Sequence, residues 1–149
     1  MIIDKRIDKD NWDEIKDILP QITEIKSLSL YNMRLIEFPK MSHITIKCNF
    51  YCSFNQITSF KDCPIMNGDF YCYKNPISNF KYLPPVGGYF YSGINILDAI
   101  YKYSKNRNIS LLEAQVELYK QKDKEILEHI DKFPDLVVYI RLKELDKLL

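Results

Sequence analysis

The chain has 149 residues, enough for one domain with a modest continuous core, and its net charge is +1 with 28% charged residues. That balance signals no polyanionic partner, and no apolar run is long enough to span a bilayer. Met1-Ile2-Ile3 is followed at once by Asp4, Lys5 and Arg6 rather than by an apolar run, so no secretory signal is expected and cytoplasmic residence is the default.

Residues 10–19 read as a helix. Asp10 is a plausible N-cap, Asp13 sits in the first turn, and Trp12, Ile15, Ile18 and Leu19 fall at helical spacing before Pro20. Residues 1–24 are therefore expected to form an N-terminal helical cap, with Trp12 lying on the first of a series of coils. Residues 25–39 resemble a worn coil: Leu28-x-Leu30 has strand alternation, and Leu35 and Phe38 match Ile57 and Phe60 at a spacing of 22. Ile44-x-Ile46-x-Cys48-x-Phe50-x-Cys52 then alternates over nine residues, which predicts one long strand.

Residues 46–97 repeat every twenty positions. Phe50-Tyr51-Cys52 returns as Phe70-Tyr71-Cys72 and Phe90-Tyr91-Ser92, Asn55 as Asn75 and Asn95, Ile57 as Ile77 and Leu97, Phe60 as Phe80, and Gly68 as Gly88. So short a period means a solenoid. Inward Phe50, Cys52 and Ile57 alternate with outward Tyr51 and Ser53, as in a strand with one buried face. Asn55, Asn75 and Asn95 follow the strand where the chain must turn, and a stack of amides there can satisfy backbone groups of successive coils. Cys52 and Cys72 share the inward column as small hydrophobes.

Phe50-x-Cys52-x-x-Asn55-x-Ile57 and Phe70-x-Cys72-x-x-Asn75-x-Ile77 resemble the LxLxxNxL core of a leucine-rich repeat, with aromatics and cysteines replacing leucines. The spelling is most similar to divergent repeats in proteins of phages and large DNA viruses. The resemblance covers about a third of the chain, and Ser92 and Gly93-Ile94 depart from it in the last copy. It implies recognition of a protein through the strand face. For a viral chain, the location would be the host cytoplasm.

After Leu97 the apolar spacing becomes helical. It predicts a short helix over 97–104 and a second over 111–122, the latter entered through the capping box Ser110-Leu-Leu-Glu113 with Leu112, Val116 and Tyr119 on its apolar stripe. A third comes over 123–132 with Ile126, Leu127 and Ile130 inward. A last helix over 135–148 comes after Phe133-Pro134, its first turn apolar nearly all round and so expected to be buried. The expected fold class is α/β: a leucine-rich-repeat-like solenoid of about four coils with parallel strands over 25–97, an N-terminal helical cap (1–24) and a C-terminal helical subdomain (98–149).

The outward strand positions form a tyrosine-rich, charge-poor face. Tyr51, Tyr71 and Tyr91 make one column, flanked by Tyr73 and Tyr89, and these five with Asp69 and Lys74 are the expected partner-binding residues. Tyrosine offers large contact area at low entropic cost and is enriched at interface hot spots; the competing reading is a ladder that only supports the sheet. Single-stranded nucleic acid would also suit stacked aromatics, but a basic groove should accompany them, and the repeat block holds only Lys47, Lys61, Lys74 and Lys81. Cys48-x-x-x-Cys52 lacks the paired spacing of a zinc site, so no metal or other cofactor is expected despite nearby His43. No motif predicts catalysis. The expectation is a non-enzymatic protein-binding module, in its sharpest form a viral protein that engages or inhibits a host defence factor. The alternatives are a nucleic-acid-binding module or a structural part of a virion or assembly.

Overall fold

The computed structural model describes residues 1–148. The chain divides into two compact units, Met1–Ile94 and Asn95–Leu149.

The first unit is a parallel-strand solenoid of about four coils. The twenty-residue period appears directly as strand register. Strands β4 (Phe50–Tyr51), β6 (Phe70–Tyr71) and β7 (Phe90–Tyr91) pair Phe50 with Phe70 and Phe90, and Tyr51 with Tyr71 and Tyr91. A second strip is made by β3 (Thr45–Ile46) and β5 (Ile65–Met66), continued by a bridge from Met66 to Val86. Strand β2 (Glu24–Ser29) is long enough to serve both strips: Ile25 pairs with Ile46, and Leu28 with Phe50.

Each coil thus turns a corner where the alternation predicted one continuous strand. Ile46 and Phe50 are both buried, while Lys47 and Cys48 between them are both exposed. Two successive outward residues break period two, and the sheet bends. The corner keeps its backbone bonds: Lys47 N–H donates to Ile25 O at 2.9 Å, Cys48 N–H to Lys26 O at 2.8 Å, and Gly68 N–H to Cys48 O at 2.9 Å. Gly68 is required by space, since a Cβ there would collide with the Cys48 carbonyl oxygen and with Asn49 Oδ1.

The inner face packs aromatic on aromatic. Phe50 and Phe70 stack with centroids 5.2 Å apart and planes 1° apart, and Phe60 meets Phe70 and Phe90 edge-on at 6.0 and 5.9 Å. Cys52, Cys63, Cys72, Ile57 and Ile77 are buried beside them. The asparagine ladder closes the strand ends. Asn55 Oδ1 accepts the N–H groups of Met33 and Leu35, both at 3.0 Å, and its Nδ2 donates to Leu30 O and Cys52 O, both at 2.8 Å. Asn75 repeats the arrangement on Ile57 N–H and on the Cys52 and Cys72 carbonyls. Asn95 does not repeat it: it is exposed and opens the first helix, and the Ile77 N–H is bonded to the Asn75 carbonyl at 2.9 Å.

The N-terminal segment differs from a helical cap. Ile2–Ile7 forms strand β1, parallel to β2, with Ile7 fully buried and the charged run Asp4–Arg6 outward. The register slips between Ile3 and Arg6, a bulge that blunts an edge strand. In place of a helix over 10–19 there are two 3-10 stretches, Trp12–Glu14 and Lys16–Gln21, and Pro20 lies inside the second instead of ending a helix. Trp12, Ile15 and Leu19 are buried, as their spacing predicts.

The second unit is helical: α1 (Asn95–Arg107), α2 (Leu111–Lys120), α3 (Lys124–Glu128) and α4 (Pro134–Asp146). Ser110 Oγ accepts Glu113 N–H at 3.0 Å, the N-cap half of the capping box. Several inward assignments change. Leu112 and Leu127 are exposed, and α2 buries Ala114 and Gln115 instead. The first turn of α4 buries Leu136 but leaves Val138 outward. Glu117 takes the Tyr103 hydroxyl at 2.9 Å and Arg107 Nε at 3.0 Å, tying α2 to α1. Among the described residues no helix is long and apolar enough to cross a membrane.

Candidate functional site: the tyrosine face

Parallel pairing at constant register puts identical residues one above another, so the outward tyrosines must stack or splay. They stack. Tyr51 and Tyr71 have centroids 4.9 Å apart and planes 6° apart, and Tyr71 and Tyr91 are 5.0 Å and 14° apart. These are close to the strand spacing itself. Tyr73 touches Tyr71 and Tyr91 diagonally at 6.3 and 6.1 Å, and Tyr89 lies 6.0 Å from Tyr91. The three column tyrosines are half-buried against one another, whereas Tyr89 is 68% exposed. The five tyrosines therefore form one continuous aromatic surface.

The surface extends further than the twenty-residue columns indicate. Tyr31 and Phe54 are both exposed and pack at 5.3 Å. Tyr31 lies 22 residues before Ser53, the same offset that pairs Leu28 with Phe50, so it belongs to the Ser53–Tyr73 column. Phe54 takes the left-handed conformation, φ 61°, as do Asn32 at 52° and Lys74 at 55° in the equivalent turns. That conformation is unusual for a large residue. Lys74 is exposed at this turn, beside the tyrosine columns.

At the head of the ladder the tyrosine column is interrupted. Ser29 occupies the rung before Tyr51, and a cleft of about 430 Å³ opens there between Arg6, Asp8, Tyr31 and Tyr51. The Arg6 guanidinium lies 5.6 Å from the Tyr51 ring centroid, within cation–π range.

A row of polar groups at the corner orients the tyrosine hydroxyls. Asn49 Nδ2 donates to the Tyr51 hydroxyl at 3.2 Å, and the Tyr71 hydroxyl donates to Asp69 Oδ2 at 3.1 Å. Burial between its neighbours, the bond to Asp69 and the charge of Asp69 push the Tyr71 hydroxyl up to about 12.

The cysteines form no disulfide. Cys48 is exposed at the corner, and burial pushes the Cys52 and Cys63 thiols up. His43 Nε2 lies 2.9 Å from the Leu19 carbonyl, which it holds as a donor. Among the described residues no group of three or more His, Cys, Asp or Glu side chains is placed to hold a metal ion. No protein-family model matches the chain, and no similar curated protein or solved structure is found.

Proposed function

We propose that the chain is a non-enzymatic protein-binding module of leucine-rich-repeat type whose contact surface is the tyrosine face. The observation that supports this reading most is the half-exposed stack of Tyr51, Tyr71 and Tyr91, widened by Tyr73 and Tyr89. Stacking fixes the rings before any partner arrives, so little side-chain freedom remains to be lost on binding. The resemblance of the repeat spelling to phage and viral proteins supports the sharper version, in which a virus-encoded chain engages or blocks a host defence factor in the host cytoplasm. Asp69 within the face, with few basic groups around it, disfavours single-stranded nucleic acid.

The test is affinity purification from the native host, run in parallel with a variant carrying Tyr51→Ser, Tyr71→Ser and Tyr91→Ser. The inward columns are untouched, so the variant should fold, losing about 1 kcal/mol per broken ring pair. One dominant protein should be captured by the natural chain and lost by the variant, since interface tyrosines commonly contribute about 2 kcal/mol or more each. Capture should weaken only modestly at raised salt; a nucleic acid would be shed steeply. A folded variant that binds at full strength would sink the reading.

A further inference from the structure

This inference rests on the protein-binding reading above and names the chemistry that the face recognises. Asn49 and Asp69 perform the same structural task one coil apart. Asn49 Oδ1 accepts the Asp69 N–H at 2.8 Å, and Asp69 Oδ1 accepts the Tyr89 N–H at 2.8 Å. Each also holds the hydroxyl of the tyrosine two residues on, Asn49 as donor and Asp69 as acceptor. A neutral amide therefore completes both contacts in one coil, and the negative charge of Asp69 is surplus to the fold.

That charge is also uncompensated. Among the described residues no lysine, arginine or histidine forms an ion pair with Asp69. Its oxygens each accept one bond, and a carboxylate has about four acceptor sites in all. It is half-buried among tyrosines, where the effective dielectric is below that of water and an incoming cation is correspondingly favoured. Tyrosine faces also attract cations, and the chain shows the geometry itself where Arg6 lies over Tyr51.

We propose that the tyrosine face binds its protein partner through an arginine side chain, the guanidinium meeting Asp69 and lying against the exposed ring of Tyr89. Arginine fits better than lysine because its planar fork bonds a carboxylate while its face stacks on an aromatic ring. A phosphate backbone would instead be repelled by Asp69.

The experiment selects a random dodecapeptide display library on the full chain. Selected peptides are then measured as synthetic, labelled peptides by fluorescence anisotropy. The peptides should share an arginine. Asp69→Asn should weaken them on the order of tenfold, and replacing the arginine by citrulline should weaken them as much. Combined, the two losses should not add. Asn49 predicts that Asp69→Asn folds, which thermal melting checks; should it not, the citrulline peptide carries the test against the natural chain. Peptides lost on the Tyr51, Tyr71 and Tyr91 serine variant but lacking arginine, or indifferent to Asp69→Asn, would overturn the arginine assignment and leave the protein-binding reading intact. Peptides indifferent to the serine variant, or a library yielding none, would count against both. A single-stranded DNA dodecamer that displaces the peptides with steep salt dependence would overturn the assignment in favour of nucleic acid.

Discussion

Asn75 joins two coils through Cys52: its Nδ2 donates to the Cys52 carbonyl of the preceding coil at 3.0 Å, and to Cys72 of its own at 3.1 Å. Its Oδ1 takes the Ile57 N–H at 3.0 Å, so one buried amide satisfies three backbone groups that no strand partner reaches. Removing it leaves the Ile57 N–H and the Cys72 carbonyl unpaired away from water, at about 1–3 kcal/mol each before relaxation, while the Cys52 carbonyl keeps its bond from Asn55. Asn75→Ala should therefore destabilise by more than about 2 kcal/mol. Asn79 accepts only the exposed Lys81 N–H, and Asn79→Ala should cost about 1 kcal/mol or less. Urea denaturation midpoints compare the two; equal midpoints would refute the ladder.

The corner makes a steric prediction. A Cβ at Gly68 would meet the Cys48 carbonyl carbon at 2.7 Å, as well as the closer oxygens of Cys48 and Asn49. The Cys48 atoms are backbone and are bonded to the Gly68 N–H, so they cannot swing aside. Gly68→Ala should cost about 1–3 kcal/mol, as overpacking does. The exposed neighbour Asn67 serves as control, since Asn67→Ala should stay within about 0.5 kcal/mol. Thermal melting reads both, and an unshifted Gly68→Ala protein would mean that the coils are not packed this closely.

Thiol chemistry separates the corner from the core. Cys48 is exposed, while Cys52, Cys63 and Cys72 are buried and the thiols of Cys52 and Cys63 are held protonated by burial. A thiol reagent should titrate Cys48 alone in the folded protein, and the other three only after denaturant is added. Cys48→Ser should abolish the native-state reaction. Rapid labelling of Cys52 or Cys72 in that variant would place the repeat register in error.

The strand register was legible because each coil returns the same residue to the same place: Phe50, Phe70 and Phe90 can be aligned by eye, and the sheet pairs them. Tyr51, Tyr71 and Tyr91 emerge from the same alignment. The corner was hidden because Cys48 continues the alternation of Ile46 and Phe50; only Gly68 and Gly88 in its column mark the missing side chain. Strand β1 was hidden by Asp4-Lys5-Arg6, which reads as solvated chain, although an edge strand has little face to bury. Asn95 fits its column in spelling, but the Ile77 N–H, which a third rung would take, is bonded to the Asn75 carbonyl at 2.9 Å, and from Asn95 onward the chain is helical. Phe54 was missed because its column continues as Lys74 and Ile94, and Tyr31 because Ser53 separates it from Tyr73.

The Tyr71 hydroxyl gives a prediction that tests the face and its corner together. It donates to Asp69, lies between Tyr51 and Tyr91, and is pushed from an ordinary value of 10.0 to about 12, burial first and Asp69 next. Between these values the folded chain keeps a proton that the unfolded chain has lost. Stability associated with Tyr71 is therefore fully present below pH 10 and falls as pH rises from about 10 to about 12. Ultraviolet difference absorbance should show a late tyrosine phase near pH 12 that Tyr71→Phe diminishes by one residue's amplitude. Asp69→Asn sharpens the point. The asparagine would remove the charge and could donate to the Tyr71 oxygen as Asn49 does to Tyr51, a bond that favours the ionised hydroxyl. The late phase should then move back toward 10 without reaching it, because burial between the rings remains. A late phase unmoved by Asp69→Asn would assign the whole shift to burial and deny Asp69 its contact with Tyr71.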